Sequence, residues 1–246
     1  MTLAAEEIKA CCATAYSSTA ARFLLGDSFH PGGAALTSQL ARALRVGADD
    51  LVVDVACGPG TSAYQLARET GCEVIGIDLA PPGASEDPRV RFMRGDAEAL
   101  PLADGSVDGA LCECALCTFP DKATAAAEIA RVLRPGARLA LSDLTARREE
   151  LPESLASLQA WVACVADARP LGEIADLLTT SGLEIEQTQA HDDALGALLD
   201  RIEARLQVAT LLAADAAAHG RELLGQVRDA VESGALSYGV VIARRG

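Results

Sequence analysis

From residue 51 to residue 146, short apolar runs alternate with stretches of helical periodicity. "LVVDVA", "CEVIGID", "VRFMRGD", "VDGALCEC" and "ARLALSDL" are separated by segments such as "TSAYQLARET" and "DKATAAAEIARVLRPG". No other feature constrains the fold so tightly, because strands that alternate with helices require a mostly parallel sheet covered by helices. "LEIEQTQ" and "LSYGVVIARR" bring the strand count to seven. "PLGEIADLLTTSG", like the helical stretch before "ARLALSDL", ends in a glycine or Pro-Gly stop. Half of the 246 residues are apolar, enough to bury a substantial core.

Residues 1–46 precede the first strand and read as one or two helices broken at "FHPGG", an N-terminal helical cap. A second helical block, about 192–232, separates the last two strands and is too long for a bare loop. It is expected to cover the sheet edge or the active site. The expected division is a cap at 1–46, a ligand-binding core at 47–191, and the helical insertion with the final strand at 192–246.

The formal charge of −14 disfavours nucleic acid, since phosphate binding needs basic patches. No apolar stretch approaches the ~20 residues of a membrane span. The N-terminus carries acidic residues where a signal peptide carries basic ones. A cytoplasmic location with no membrane partner is expected.

The elbow "GPGTSA" after the first strand satisfies the Gly-x-Gly-x-x-Ala form of a dinucleotide fingerprint, with Asp78 spaced to reach a ribose hydroxyl. Asp54 argues for a different ligand. It stands just before the loop, where it repels a pyrophosphate and attracts an ammonium group. S-adenosylmethionine carries an ammonium and a sulfonium and no phosphate. Ala56, Gly58 and Gly60 let the backbone approach such a ligand closely. Asp78, at the carboxyl end of the second strand, suits the ribose hydroxyls, and Asp96 after the third strand suits the adenine amino group.

Together "VVDVACGPGT", "GID", "GDAEALPLADGSVD" and "EIARVLRPGARLALSD" resemble the class I S-adenosylmethionine-dependent methyltransferases over about residues 45–190. The resemblance implies a Rossmann-like α/β fold with a mostly parallel seven-stranded sheet. It implies a cofactor site of Tyr16, Asp54, Ala56, Gly58, Gly60, Asp78, Leu79, Asp96, Ala97 and Glu113. Ala56 stands where the family usually has its first glycine.

The eight cysteines form no regular disulfide framework. Taken singly, each reads as packing before chemistry. "CECALCTFPDKATAAAEIARVLRPG" and "LPESLASLQAWVAC", however, resemble segments of the arsenite methyltransferases. That likeness implies Cys164 as a metalloid ligand and trivalent arsenic, a soft thiophile, as methyl acceptor. Its lone pair attacks the methyl directly, so positioning carries the chemistry. The family has a further ligand cysteine downstream, and this chain has no cysteine after Cys164. Cys11, Cys12, Cys114 and Cys117 are the expected substitutes, with Cys164, Cys12 and Cys114 as the arsenic set. Cys57 and Cys72 read as structural.

The rival acceptors are a carbon, oxygen or nitrogen of a small metabolite, with His30 or Glu113 as base. A thiol-based metalloid sensor that keeps the fold without catalysis is the remaining alternative. Tyr16, Asp27 and His30 stand on the segment that commonly folds over the cofactor, His30 as a turn residue before Pro-Gly or as a base; His191 and His219 have no evident partner, and Trp161 reads as core or as a wall of the acceptor pocket.

Overall fold

The computed structural model describes residues 4–26, 28–156, 164–210 and 214–246. Three helices open the chain: α1 (Ala5–Tyr16), α2 (Thr19–Leu25) and α3 (Gly33–Leu44). The expected one or two helices are three because Ser18 starts a new one, its hydroxyl accepting the Ala21 amide at 3.1 Å. α3 presents Leu36, Leu40, Ala41 and Leu44 as one buried stripe. It packs on α4 and the sheet, so it belongs to the core layers, and only α1 and α2 lie outside them.

Strands β1 (Leu51–Val55), β2 (Glu73–Asp78), β3 (Val90–Arg94), β4 (Val107–Glu113), β5 (Leu133–Ala146), β6 (Leu183–Ala190) and β7 (Leu236–Arg245) form one sheet, in the order β3-β2-β1-β4-β5-β7-β6. Six strands run in one direction, while β7 runs antiparallel to β5 on one side and β6 on the other. α4 (Thr61–Thr70), α5 (Lys122–Val132) and α6 (Leu171–Thr180) are the connecting helices. All seven expected strands are present. β5 starts earlier than "ARLALSDL", because Leu133 already pairs with Val107 before a register shift.

Side chains alternate across the sheet with period two. Val52, Val74, Leu111 and Val240 belong to one core, and Val53, Ile75, Cys112 and Val241 to the other. Each fully buried Val, Ile or Leu contributes roughly 1.5–3 kcal/mol, so the two-sided burial fixes the register strongly. The segment between β6 and β7 forms α7 (Asp192–Thr210) and α8 (Ala214–Glu232), which pack together against β7, with α7 also touching α2. No described helix is long and apolar enough to cross a membrane.

Candidate active site

The chain leaves β1 toward β2 and β3 on one side and returns through β4 on the other. A crevice therefore opens at the carboxyl ends of β1 and β4, where sheets of this kind bind ligands. Asp54 and Glu113 stand at that point and line a pocket with Ala56, Gly58, Asp78, Leu79, Asp96, Ala97 and Tyr16. Gly60 is the exception among the expected cofactor residues. It is the left-handed N-cap of α4, and a Cβ there would lie 2.3 Å from the Phe92 ring. A side chain there would collide with that ring, so the glycine lets loop and ring pack. Ala56 adopts φ +58°, a conformation that costs an alanine about 1 kcal/mol and explains the usual glycine.

The elbow is held by its own future ligand residue. Asp78 accepts the Gly58 amide at 2.9 Å and the Ala80 amide at 2.8 Å, so its carboxylate is fixed in place. Asp96 accepts the Glu98 amide at 2.9 Å. It also pairs with Lys9 of α1 at 2.7 Å, and Lys9 reaches Glu98 at 2.6 Å as well. The sequence reading missed this lysine, whose importance comes from a helix lying across the pocket.

Asp54 is buried, and one of its carboxylate oxygens has no hydrogen-bond partner. Burial, reinforced by Glu113 and Asp78, pushes its pKa well above the carboxylate range. An arriving ammonium group would satisfy the orphaned oxygen and restore the charge. Gly58 has open space where a side chain would be. These two features fit the methionine end of S-adenosylmethionine and its close approach to the loop.

His30, a candidate base by sequence, is buried beside the same pocket. Its Nδ1 lies 3.0 Å from the Pro31 carbonyl oxygen. Its Nε2 lies 2.9 Å from Ser28 Oγ and 3.5 Å from Glu113 Oε1. Donation from Nδ1 to that carbonyl makes Nε2 the acceptor nitrogen, within reach of the hydroxyls of Ser28 and Thr37.

The cysteines divide by face. Cys112 lies in the core on the other side of the sheet from Cys117 and Cys164, and Cys72 is fully buried packing. Cys57 is buried, its thiol pushed up by burial and by Asp54. Cys11 is half-buried and lines neither large pocket. Cys164 meets Tyr16 Oη at 3.1 Å and lies 3.6 Å from the Cys114 carbonyl oxygen. Hydrogen bonds from Cys114 and Cys117, then from Tyr16, and the charge of Lys122 hold its thiol well below the usual range. Cys12 lines the cofactor pocket, with its thiol pushed up to about 12 by burial and by Cys164.

Thus Cys12, Cys114, Cys117 and Cys164 share one region. Yet no group of three or more His, Cys, Asp or Glu among the described residues is placed to hold a metal ion. The expected arsenic set of Cys164, Cys12 and Cys114 is therefore not among such groups. Trp161 and Asp27 lie outside the described residues, as does the side chain of His219. The His191 amide donates to the Tyr238 carbonyl, a structural contact.

A second cavity of about 400 Å³ adjoins the first, sharing Tyr16, Phe29 and Cys114. Its walls are aliphatic, from Leu24 of α2, Leu195, Leu199 and Ile202 of α7, and Leu223 and Leu224 of α8. The helical insertion therefore builds a chamber beside the cofactor pocket.

Residues 53–141 match the family model described as a methyltransferase domain. An O-methyltransferase of Pyrenophora dematioidea is 30% identical over 213 residues, covering 78% of each chain. The arsenite methyltransferase of Halobacterium salinarum is 28% identical over 156 residues, which is 59% of this chain and 40% of that protein. The chain spans about half the length of other curated methyltransferase relatives, which it matches at 36–39% identity. The geranyl diphosphate C-methyltransferase of Streptomyces coelicolor A3(2) superposes with a TM-score of 0.77 at 16% identity, over 97% of this chain and 98% of that one. That likeness speaks for the fold. The chain belongs to the class I S-adenosylmethionine-dependent methyltransferases, and S-adenosylmethionine is its cofactor.

Proposed function

We propose that this protein methylates a hydroxyl group on a bulky, largely hydrocarbon small molecule. The observation that carries this reading is the apolar cavity beside the cofactor pocket, which among the described residues has no Asp, Glu, His, Lys or Arg in its wall. Such a chamber rewards the desolvation of hydrocarbon and offers nothing to a small oxyanion. The cofactor, when bound, supplies an activated methyl on a sulfonium. The chain's residues do the rest. Asp54 and Glu113 orient the methionine end, Asp78 and Asp96 the nucleoside, and Tyr16 and Phe29 form the passage to the acceptor. His30 accepts the hydroxyl proton on Nε2, and Glu113 stabilises the imidazolium that results. The name of the Pyrenophora relative supports an oxygen acceptor.

Arsenite is the second reading, favoured by the thiols around Cys164 and by the Halobacterium relative. Incubation with S-adenosylmethionine labelled in the methyl, against apolar phenols and alcohols in one arm and arsenite with thiol in the other, separates the two. We expect label in an ether. Ile202→Trp, which fills the chamber, should raise the acceptor KM about tenfold or more, equivalent to roughly 1.4 kcal/mol, while leaving S-adenosylhomocysteine affinity unchanged. Methylated arsenic with no labelled ether would overturn the proposal.

A further inference from the structure

Cys164 and Cys114 bracket the junction between the two cavities. Both line the apolar chamber, and Cys114 also lines the cofactor pocket. Both adopt a left-handed backbone that side-chain-bearing residues seldom take, at φ +66° and +53°. Strain of this kind collects at functional sites. Cys164 Sγ lies 3.6 Å from the Cys114 carbonyl oxygen and 3.1 Å from the Tyr16 hydroxyl, and both cysteines line the same chamber. Methyl transfer as described above uses neither sulfur.

We infer that Cys164 and Cys114 form a redox site: a peroxide entering the apolar chamber oxidises them to a disulfide that closes the passage between the two cavities.

The chemistry balances within the site. The Cys164 thiolate attacks one peroxide oxygen, forming an S–O bond as the O–O bond breaks and hydroxide leaves. The Cys114 thiol then attacks the sulfur of the sulfenic acid, the S–S bond forms, and the departing oxygen takes the Cys114 proton and leaves as water, while the first hydroxide takes the proton that Cys164 gave up. Two thiols are oxidised by two electrons, and one peroxide is reduced to two waters. Cys164 is the attacking sulfur because its neighbours donate hydrogen bonds to it, with Lys122 supplying positive charge. Cys114 is the resolving partner. It is half-buried and stands on the loop after β4, whereas the Cys117 amide is tied to Asp143 at 2.9 Å in the short 3-10 turn Leu116–Thr118. Of the remaining thiols, Cys12 lines the cofactor pocket but not the apolar chamber that the peroxide enters. Cys72 and Cys112 are fully buried, and Cys11 lies away from both pockets.

The disulfide removes the sulfur that Tyr16 contacts. It leaves Asp54, Asp78 and Asp96 in place. Oxidation should therefore block acceptor entry and spare the nucleoside site.

The test treats the full chain with stoichiometric hydrogen peroxide. It then alkylates free thiols and maps peptides without reduction, assigning the bond by fragmentation because Cys112, Cys114 and Cys117 lie close in sequence. We expect a Cys114–Cys164 link, with S-adenosylhomocysteine affinity changed by less than about threefold in calorimetry. In Cys114→Ser we expect no such link and a Cys164 sulfenic acid trapped by dimedone. Cys164 still fully alkylatable after treatment, while Cys11 is oxidised, would overturn the site. A Cys117–Cys164 link in the natural chain would overturn the pairing. None of these readouts depends on finding the methyl acceptor.

Discussion

At the scale of single residues, the cofactor site is made of carboxylates under different constraints. Asp78 already accepts two backbone amides, so Asp78→Ala would both unfasten the elbow and remove the ribose partner. Charge-assisted hydrogen bonds of this type are worth about 1.5–3 kcal/mol each, and calorimetry should show at least a tenfold loss of S-adenosylhomocysteine affinity. Asp54 behaves differently because its pKa is raised by burial, Glu113 and Asp78. Protonated in the free protein and ionised beside a bound ammonium, it should release a proton on binding. Affinity should then rise with pH, and the binding enthalpy should vary with the ionisation enthalpy of the buffer. A buffer-independent enthalpy would show that Asp54 does not change protonation. Most of these residues were legible in sequence, because motif spacing places a carboxylate at a strand end. The packing of Gly60 on Phe92 was not legible, because a glycine needed for backbone conformation and a glycine needed for ligand approach look alike in one sequence. The pairing of His30 with Glu113 was not legible because Glu113 comes from the end of a strand far along the chain.

Among elements, α1 has the most direct control over the cofactor. Lys9 ties it to Asp96 and Glu98 across the pocket, and Tyr16 at its other end reaches Cys164. Lys9→Met keeps the aliphatic stem and removes both ion pairs, which at a partly buried site are worth on the order of 1 kcal/mol. S-adenosylhomocysteine should dissociate several-fold faster from this variant in stopped-flow measurements, with the difference from the natural chain shrinking at high salt. Equal rates would show that α1 does not retain the cofactor. The core strands and helices were legible because burial on two faces leaves a period in the sequence. The latch was not, because it is a single lysine whose meaning depends on where α1 lies. Likewise, the 192–232 block announced its helices, but only packing with α2 shows that they wall a chamber.

Over the whole molecule, the two cavities share one crevice, and ligand binding should be visible as global stability. At a hundredfold excess over Kd, S-adenosylhomocysteine adds about 2.7 kcal/mol, or roughly 5–10 °C in Tm for a chain of this length. NAD should give no shift, because its pyrophosphate would face Asp54 and Glu113 at the strand ends; the reverse pattern would revive a dinucleotide reading. Assembly of the sheet carries its own consequence. β7 is last in sequence yet lies between β5 and β6, so β6 has no neighbour until β7 arrives. During synthesis, a parallel sheet of five strands can form first, while its β5 edge and the whole of β6 wait unpaired. Such edges invite association with other chains. The acidic side chains Glu184 and Glu186 along β6 are well placed to discourage that association before the final strand closes the sheet.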